Sequence, residues 1–291
     1  RRYLDLQKAE AQAREAQIEA ALERVRSRSM AMHKSDELLE AGEILFLEMQ
    51  KLGIASLTAG YVLIDEAEKN GLNYTPHPGT KKIMPVPVII PHNETIHMQQ
   101  VVENWKKGNL FFIVEMDEEE TIQHQTFIAE RSTNFPLTAA QLIAISPARL
   151  FLHNFFFKEG YVLIVGGTKL SAEQTDIMLR FAKVFQQTYT RFLDLQKAEA
   201  QAREAKIEAA LERVRSRSLA MHHSSELSAV VDTLLREFTN LEFTLPFCII
   251  NLIDEQDRSN TVWAANPETG MQPESYYMKF EDYPFHHAMW D

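Results

Sequence analysis

Apolar residues recur every seven positions along the first forty residues: Leu4, Ala11, Ile18, Val25, Met32 and Leu39. Good helix formers (Ala, Glu, Gln, Arg and Lys) fill the intervals. Glu10 and Arg14 stand four apart in the order that favours a helical ion pair. Neither Gly nor Pro appears before Gly42. The pattern predicts a long helix with its first weak point at Gly42. A strict seven-residue period predicts a left-handed seam between two such helices. The second apolar position of the heptad is thin, Ala21 or Leu22 among polar neighbours, so the seam is expected to need its flanking domains.

The same pattern returns downstream. Arg2 to Leu38 and Arg191 to Leu227 differ at five positions only, namely Tyr3/Phe192, Gln17/Lys206, Met30/Leu219, Lys34/His223 and Asp36/Ser225. The second seam is Leu193, Ala200, Ile207, Val214 and Met221. An offset of 189 residues is too long for a solenoid and implies a tandem array of whole domains. It continues more weakly beyond the helix. Tyr61-Val-Leu-Ile-Asp-Glu66 aligns with Ile250-Asn-Leu-Ile-Asp-Glu255, Tyr74 with Trp263, Pro78 with Pro267 and His97 with His286. The expected organisation is a linker helix over 1–35, a domain over 36–190, the repeated linker helix over 191–224, and the N-terminal half of a second domain over 225–291. The sequence is thus expected to be cut from a longer array. Ser171-Ala-Glu-Gln174 reads as a capping box, and no Gly or Pro follows until Pro246. One helix from Ser171 to about Leu241 is expected, with a possible kink at Ser224–Ser225.

Between the repeats the period changes. Ser56 to Asp65 and Leu72 to His77 read as strands about the turn Lys69-Asn70-Gly71. Ile83 to Ile90 is apolar, but Pro85 and Pro87 demote it to an edge strand or loop. Asn93 to Lys106 is helical and Leu110 to Glu115 a strand. Asp117-Glu-Glu-Glu120 and Thr138-Ala-Ala-Gln141 look like helix starts. Leu150 to Phe157 and Tyr161 to Val165 flank Lys158-Glu159-Gly160 as a hairpin. Antiparallel strands with helices at both ends imply an α+β layer fold.

That order resembles a GAF domain: a helix, a strand ending in Ile-Asp, a second strand, a central helical insertion, a closing hairpin and a long final helix. The segment AREAQIEAALERVRSRSMAMHKSDEL resembles helices that precede GAF-like domains in bacterial two-component sensor proteins, often histidine kinases. The resemblance implies an antiparallel sheet with a ligand pocket on one face and the terminal helices on the other. It implies a sensory or dimerisation role, with a homodimer formed through the linker helices and an output kinase or regulator domain in the parent protein. A PAS domain is the neighbouring alternative. A purely structural spacer and an uncharacterised small-molecule enzyme are the other two functional readings.

Composition narrows the chemistry. The net charge of −11, with no concentrated basic face, argues against nucleic acid. A single cysteine, Cys248, excludes an internal disulfide framework or CxxC zinc site and fits a cytoplasmic location. It reads as a buried structural residue. No apolar run approaches the roughly 20 residues of a membrane span. The ten glycines form neither GxGxxG nor a Walker loop, so no kinase catalytic motif is present and no enzymatic role is expected. His33 and His222 in the repeated helix lack a phosphoacceptor context. His77, His92, His97, His153, His286 and His287 show no tight metal spacing, and His124 between two glutamines reads as helix surface. No cofactor or metal is expected, but an unknown small-molecule ligand is possible. Its candidate contacts are Tyr74, His97, Trp105, Phe112 and His153, with Trp263 and His286 as the second-copy counterparts of Tyr74 and His97.

Overall fold

The computed structural model describes residues 2–77, 82–223, 226–245, 247–265 and 274–279. The chain divides into two compact units, Arg1–Lys197 and Ala198–Asp291. The first opens with helix α1 (Arg2–Met30), a single 3-10 turn (Ser35–Glu37) and α2 (Leu38–Lys51). Strands β1 (Thr58–Asp65), β2 (Asn70–Tyr74) and β3 (Val88–Pro91) follow, then α3 (Ile96–Lys106), β4 (Phe111–Met116), α4 (Glu118–Arg131) and α5 (Ala139–Ile145). Strands β5 (Leu150–Phe157) and β6 (Gly160–Gly166) lead into α6 (Ala172–Leu219). The six strands form one antiparallel sheet in the order β3-β2-β1-β6-β5-β4. The expected α+β arrangement, an antiparallel sheet flanked by helices, is the one observed.

Local chemistry explains most boundaries. Asp117 caps α4 and Thr138 caps α5, each through a reciprocal box with Glu120 or Gln141. Ser171 and Gln174 do the same at the start of α6. The proline-bearing segment before β3 ends at a sheet edge, where an absent backbone donor costs least.

Strand alternation then separates two cores. On one sheet face, Tyr61, Phe155, Phe157 and Ile164 meet Ile18, Leu22 and Val25 of α1 and Phe181 and Phe185 of α6. On the other, Val62, Leu152, Tyr161 and Leu163 meet Met98 and Val101 of α3. The first face changes the reading of the repeated helix. Ile18 and Val25, expected on an intermolecular seam, are core residues of their own unit, in one cluster with residues of α2, the sheet and the start of α6, and Met32, expected there as well, is fully buried too. Leu4 and Ala11 remain exposed, Leu4 by 68 %.

The helix is also interrupted where no Gly or Pro stands. α1 ends at Met30, and the chain turns through Ala31–Lys34 before continuing. There the backbone N–H groups of His33 and Lys34 both donate to Glu37 Oε1 at 3.1 Å, while Met32 is fully buried. A side-chain cap together with the burial of Met32 outweighs the helix propensity of the segment. The second copy breaks at the same place. α6 ends at Leu219, not near Leu241, and His222 N–H donates to Glu226. The expected kink at Ser224–Ser225 lies outside the described residues.

The second unit continues with α7 (Leu227–Asn240), β7 (Cys248–Asp254), β8 (Ser259–Ala265) and β9 (Glu274–Lys279), its strands antiparallel in the order β7-β8-β9. The repeat is reproduced in detail. Arg24 Nε binds Glu48 at 3.0 Å, and Arg213 binds Glu237 through two bonds of 2.8 and 2.7 Å. Asp65 accepts the amides of Ala67 and Glu68, and Asp254 those of Gln256 and Asp257. Lys69 and Arg258 both take positive φ, 56° and 47°, to close these hairpins. Val231, Leu235 and Ala265 form its small core, with the half-buried Cys248 packed against it.

Candidate functional site

Between the sheet and helices α3 to α5 of the first unit lies a cavity of about 450 Å³. That size suits a drug-sized molecule. Its floor comes from β5 and β6, where Leu150, Leu152, Leu163 and Val165 alternate toward it. Val88 and Ile90 of β3, Met98 of α3, Ile128 of α4 and Leu142 of α5 close the apolar wall.

Polar side chains interrupt this wall: Asn73, His92, His124, Gln125, Asn154 and Tyr161 are buried, Ser56, Thr58 and Thr75 are half-buried, and Gln50 and His77 are exposed. Three of the buried ones are tied to the scaffold. Asn73 Nδ2 donates to Gly71 O, Asn154 Nδ2 to Leu152 O, and Gln125 Nε2 to Ser146 Oγ. His92 follows β3 and lies over β2, where a Cβ on Gly71 would overlap its imidazole. The glycine therefore makes room for the ring. His92 Nε2 stands 3.4 Å from Tyr161 Oη. His124 projects from the inward stripe of α4 with Thr121, Gln125 and Ile128. The two histidines are 4 % and 7 % exposed, and neither Nδ1 has a hydrogen-bond partner.

Burial controls their charge. Removal from water disfavours the imidazolium and pushes both pKa values down to about 4, with the nearby His97 adding to the effect on His124. Both rings are neutral at physiological pH. Desolvation raises the Tyr161 phenol above its ordinary value, so it is neutral as well.

The candidate residues drawn from the sequence fall elsewhere. Tyr74 stacks on Tyr61, with ring centroids 4.8 Å apart, on the α6 side of the sheet. His153 is on that side too, its Nε2 accepting from Leu170 N–H at 3.1 Å. Trp105 donates from Nε1 to Phe157 O at 2.9 Å. Phe112 packs against the core on the cavity side of the sheet without lining the cavity. His97 is half-buried, 3.8 Å from Glu120 Oε1. Trp263 packs on the second unit's small core, and His286 lies outside the described residues. None of the six described candidates lines the cavity. The sequence reading missed His92 and His124, and placed His124 on a helix surface. The available signal was the run Thr121, His124, Gln125 and Ile128, which keeps the spacing of a buried helical stripe.

Among the described residues no group of three or more His, Cys, Asp or Glu side chains could hold a metal ion. No helix there is long and apolar enough to cross a membrane.

No family model matches the chain, and no curated protein matches it. Solved structures do. A GAF domain from an Acinetobacter phosphoenolpyruvate-protein phosphotransferase is similar over 62 % of this chain and 93 % of its own, at 11 % identity and a TM-score of 0.38. The phycoerythrobilin-bound GAF domain of a cyanobacterial phytochrome is similar over 60 % and 95 %, at 12 % identity and 0.38. A bacteriophytochrome from R. palustris is similar over 86 % of this chain, at 12 % identity and 0.45; the match spans 49 % of the bacteriophytochrome.

Proposed function

We propose that the first unit is a GAF-type sensory module that binds a small molecule, and that the chain belongs to the sensory region of a bacterial signal-transduction protein. The observation that carries this reading is the 450 Å³ cavity, apolar in most of its wall and furnished with buried polar groups left partly unsatisfied. A core built only for stability gains nothing from open volume and unpaired imidazole nitrogens. Ligand occupancy would bias the packing of α3 to α5 on the sheet. Through β5 and β6, whose opposite faces touch α6, that bias would reach the helix leading into the second unit and from there an output module of the parent protein. The role is binding and relay rather than catalysis. Pairing of two chains through the exposed start of α1, with Tyr3, Leu4 and Leu6 outward, completes the reading.

Thermal-shift screening of nucleotides, tetrapyrroles and a metabolite library is the direct test. A stabilising compound whose effect disappears when Ile128→Trp fills the cavity is the expected result. No stabilisation by any compound would instead favour a structural, dimerising spacer. A solution mass near 33.5 kDa at all concentrations would contradict the pairing of chains.

A further inference from the structure

The cavity wall has a property that the sensory reading does not require. Asn73, His92, His124, Gln125, Asn154 and Tyr161 supply its buried polarity, and Ser56, Thr58 and Thr75 add hydroxyls near its rim. Among the described residues that line it there is no Arg, Lys, Asp or Glu. Apart from the exposed His77, the polar side chains are uncharged amides, hydroxyls and buried imidazoles, and the apolar wall from Val88 to Val165 offers nothing to a charge.

An anion entering such a site would lose its hydration and meet no cation. Phosphate- and carboxylate-binding sites ordinarily carry an arginine fork, a lysine or a helix N-terminus. The two histidines do not substitute for one. They stay neutral through the physiological range, because burial opposes their protonation. A neutral imidazole instead offers one donor and one acceptor. His92 and His124 each keep an Nδ1 that no protein group meets. A neutral imidazole in the wall thus offers an uncharged guest polarity without charge.

Resting on the sensory reading above, we infer that this cavity selects an uncharged, largely apolar small molecule and rejects anions such as nucleotides, organic phosphates and sulfonates. The selection is made by what the wall omits as much as by what it contains. A neutral guest exchanges water for the apolar surface of Leu152, Leu163, Val165 and Ile128, and the driving force scales with the surface buried.

Two probes with one aromatic skeleton test this on the full chain. N-phenyl-1-naphthylamine is neutral, and 8-anilinonaphthalene-1-sulfonate adds only a sulfonate. Each is titrated by fluorescence at pH 7.5 into the native protein and into Ile128→Trp and Val165→Phe, whose larger side chains occupy the cavity. Thermal melts confirm that at least one variant is folded. Only signal removed by a folded cavity-filling variant is counted, which excludes dye on exposed apolar surface. The neutral probe is expected to bind saturably and at least tenfold more tightly than the sulfonate. A preference below tenfold, or displacement of the neutral probe by cyclic AMP, overturns the inference and leaves the sensory reading standing. If neither probe loses signal in the folded variants, the inference and the cavity's sensory role fall together.

Discussion

Val25 and Val214 sit at the same place in two nearly identical helical segments, as do Leu22 and Leu211, yet their surroundings differ. Val25 is fully buried and Leu22 is 1 % exposed, whereas Val214 is half-buried and Leu211 is 44 % exposed. The cause is the partner. In the first unit, Phe181, Phe185 and Tyr189 of α6 cover the stripe from Ile18 to Val25. Among the described residues of the second unit there is no counterpart of that covering helix. Nor is there a counterpart of β6, so β7 is an edge strand with Ile249, Leu252 and Ile253 exposed, while β1 is paired on both sides. Features made by neighbours in sequence behave differently. The Arg–Glu pair, the Asp-capped turn and the positive-φ residue recur in both units. Local chemistry travels with a duplicated sequence, whereas burial depends on what packs against it.

Four measurements break or sharpen this contrast. The largest effect is expected from placing a carboxylate on the stripe. Val25→Asp should destabilise the first unit by about 4–5 kcal/mol, because an unpaired charge enters a closed core. Val214→Asp should cost less than about 1 kcal/mol. Hydrogen exchange resolved by unit reads the difference, and equal losses would refute the account. Next, Leu22→Ala should cost about 2–4 kcal/mol by cavity formation. Leu211→Ala should stay within about 0.5 kcal/mol, as exposed substitutions do.

Acid should separate the units as well. The folded pKa of His92 and of His124 lies near 4, below the ordinary value of 6.5, so the unfolded chain takes up protons first as pH falls. Stability is complete above about pH 6.5 and is lost progressively between there and pH 4. The loss is on the order of 2 kcal/mol per histidine at pH 5. His92→Leu with His124→Leu should flatten the first unit's denaturation midpoint across that window, and an unchanged slope would show that the rings are not desolvated. The smallest contrast concerns the repeated ion pair. Arg24 and Arg213 hold Glu48 and Glu237 below the usual carboxylate range. Their contribution is therefore present above pH 4.5 and fades only as pH falls through the lowered values. Glu48→Gln and Glu237→Gln should destabilise the two units equally, as measured by the same exchange experiment at pH 7.

Much of the architecture was legible because its signals are local. Asp117, Thr138 and Ser171 each announced a helix through a partner three residues on. Lys158-Glu159-Gly160 announced the β5–β6 hairpin, and Pro85 and Pro87 foretold a strand at the sheet edge. The break after Met30 was not legible by searching for Gly and Pro. Its determinants are a carboxylate reaching back from Glu37 and a socket for Met32. The site was missed by a single step. Tyr74 and His153 point toward α6, while their neighbours Asn73 and Asn154 line the cavity. Adjacent strand residues face opposite sides. In β5 both faces are buried, so hydrophobic alternation could not say which residue faced which side.

The recurring Asp-capped turn has a kinetic consequence. It joins Asp65 to Asn70 across a few residues, whereas the neighbouring pairing of β1 with β6 joins Leu63 to Gly160, 97 positions apart. Closing a short loop takes tens of nanoseconds and a hairpin microseconds, while distant strands must first overcome a larger chain-entropy barrier. Both hairpins can therefore form early and independently. Before β6 arrives, β1 in the folding first unit presents the same unpaired edge that β7 presents in the second.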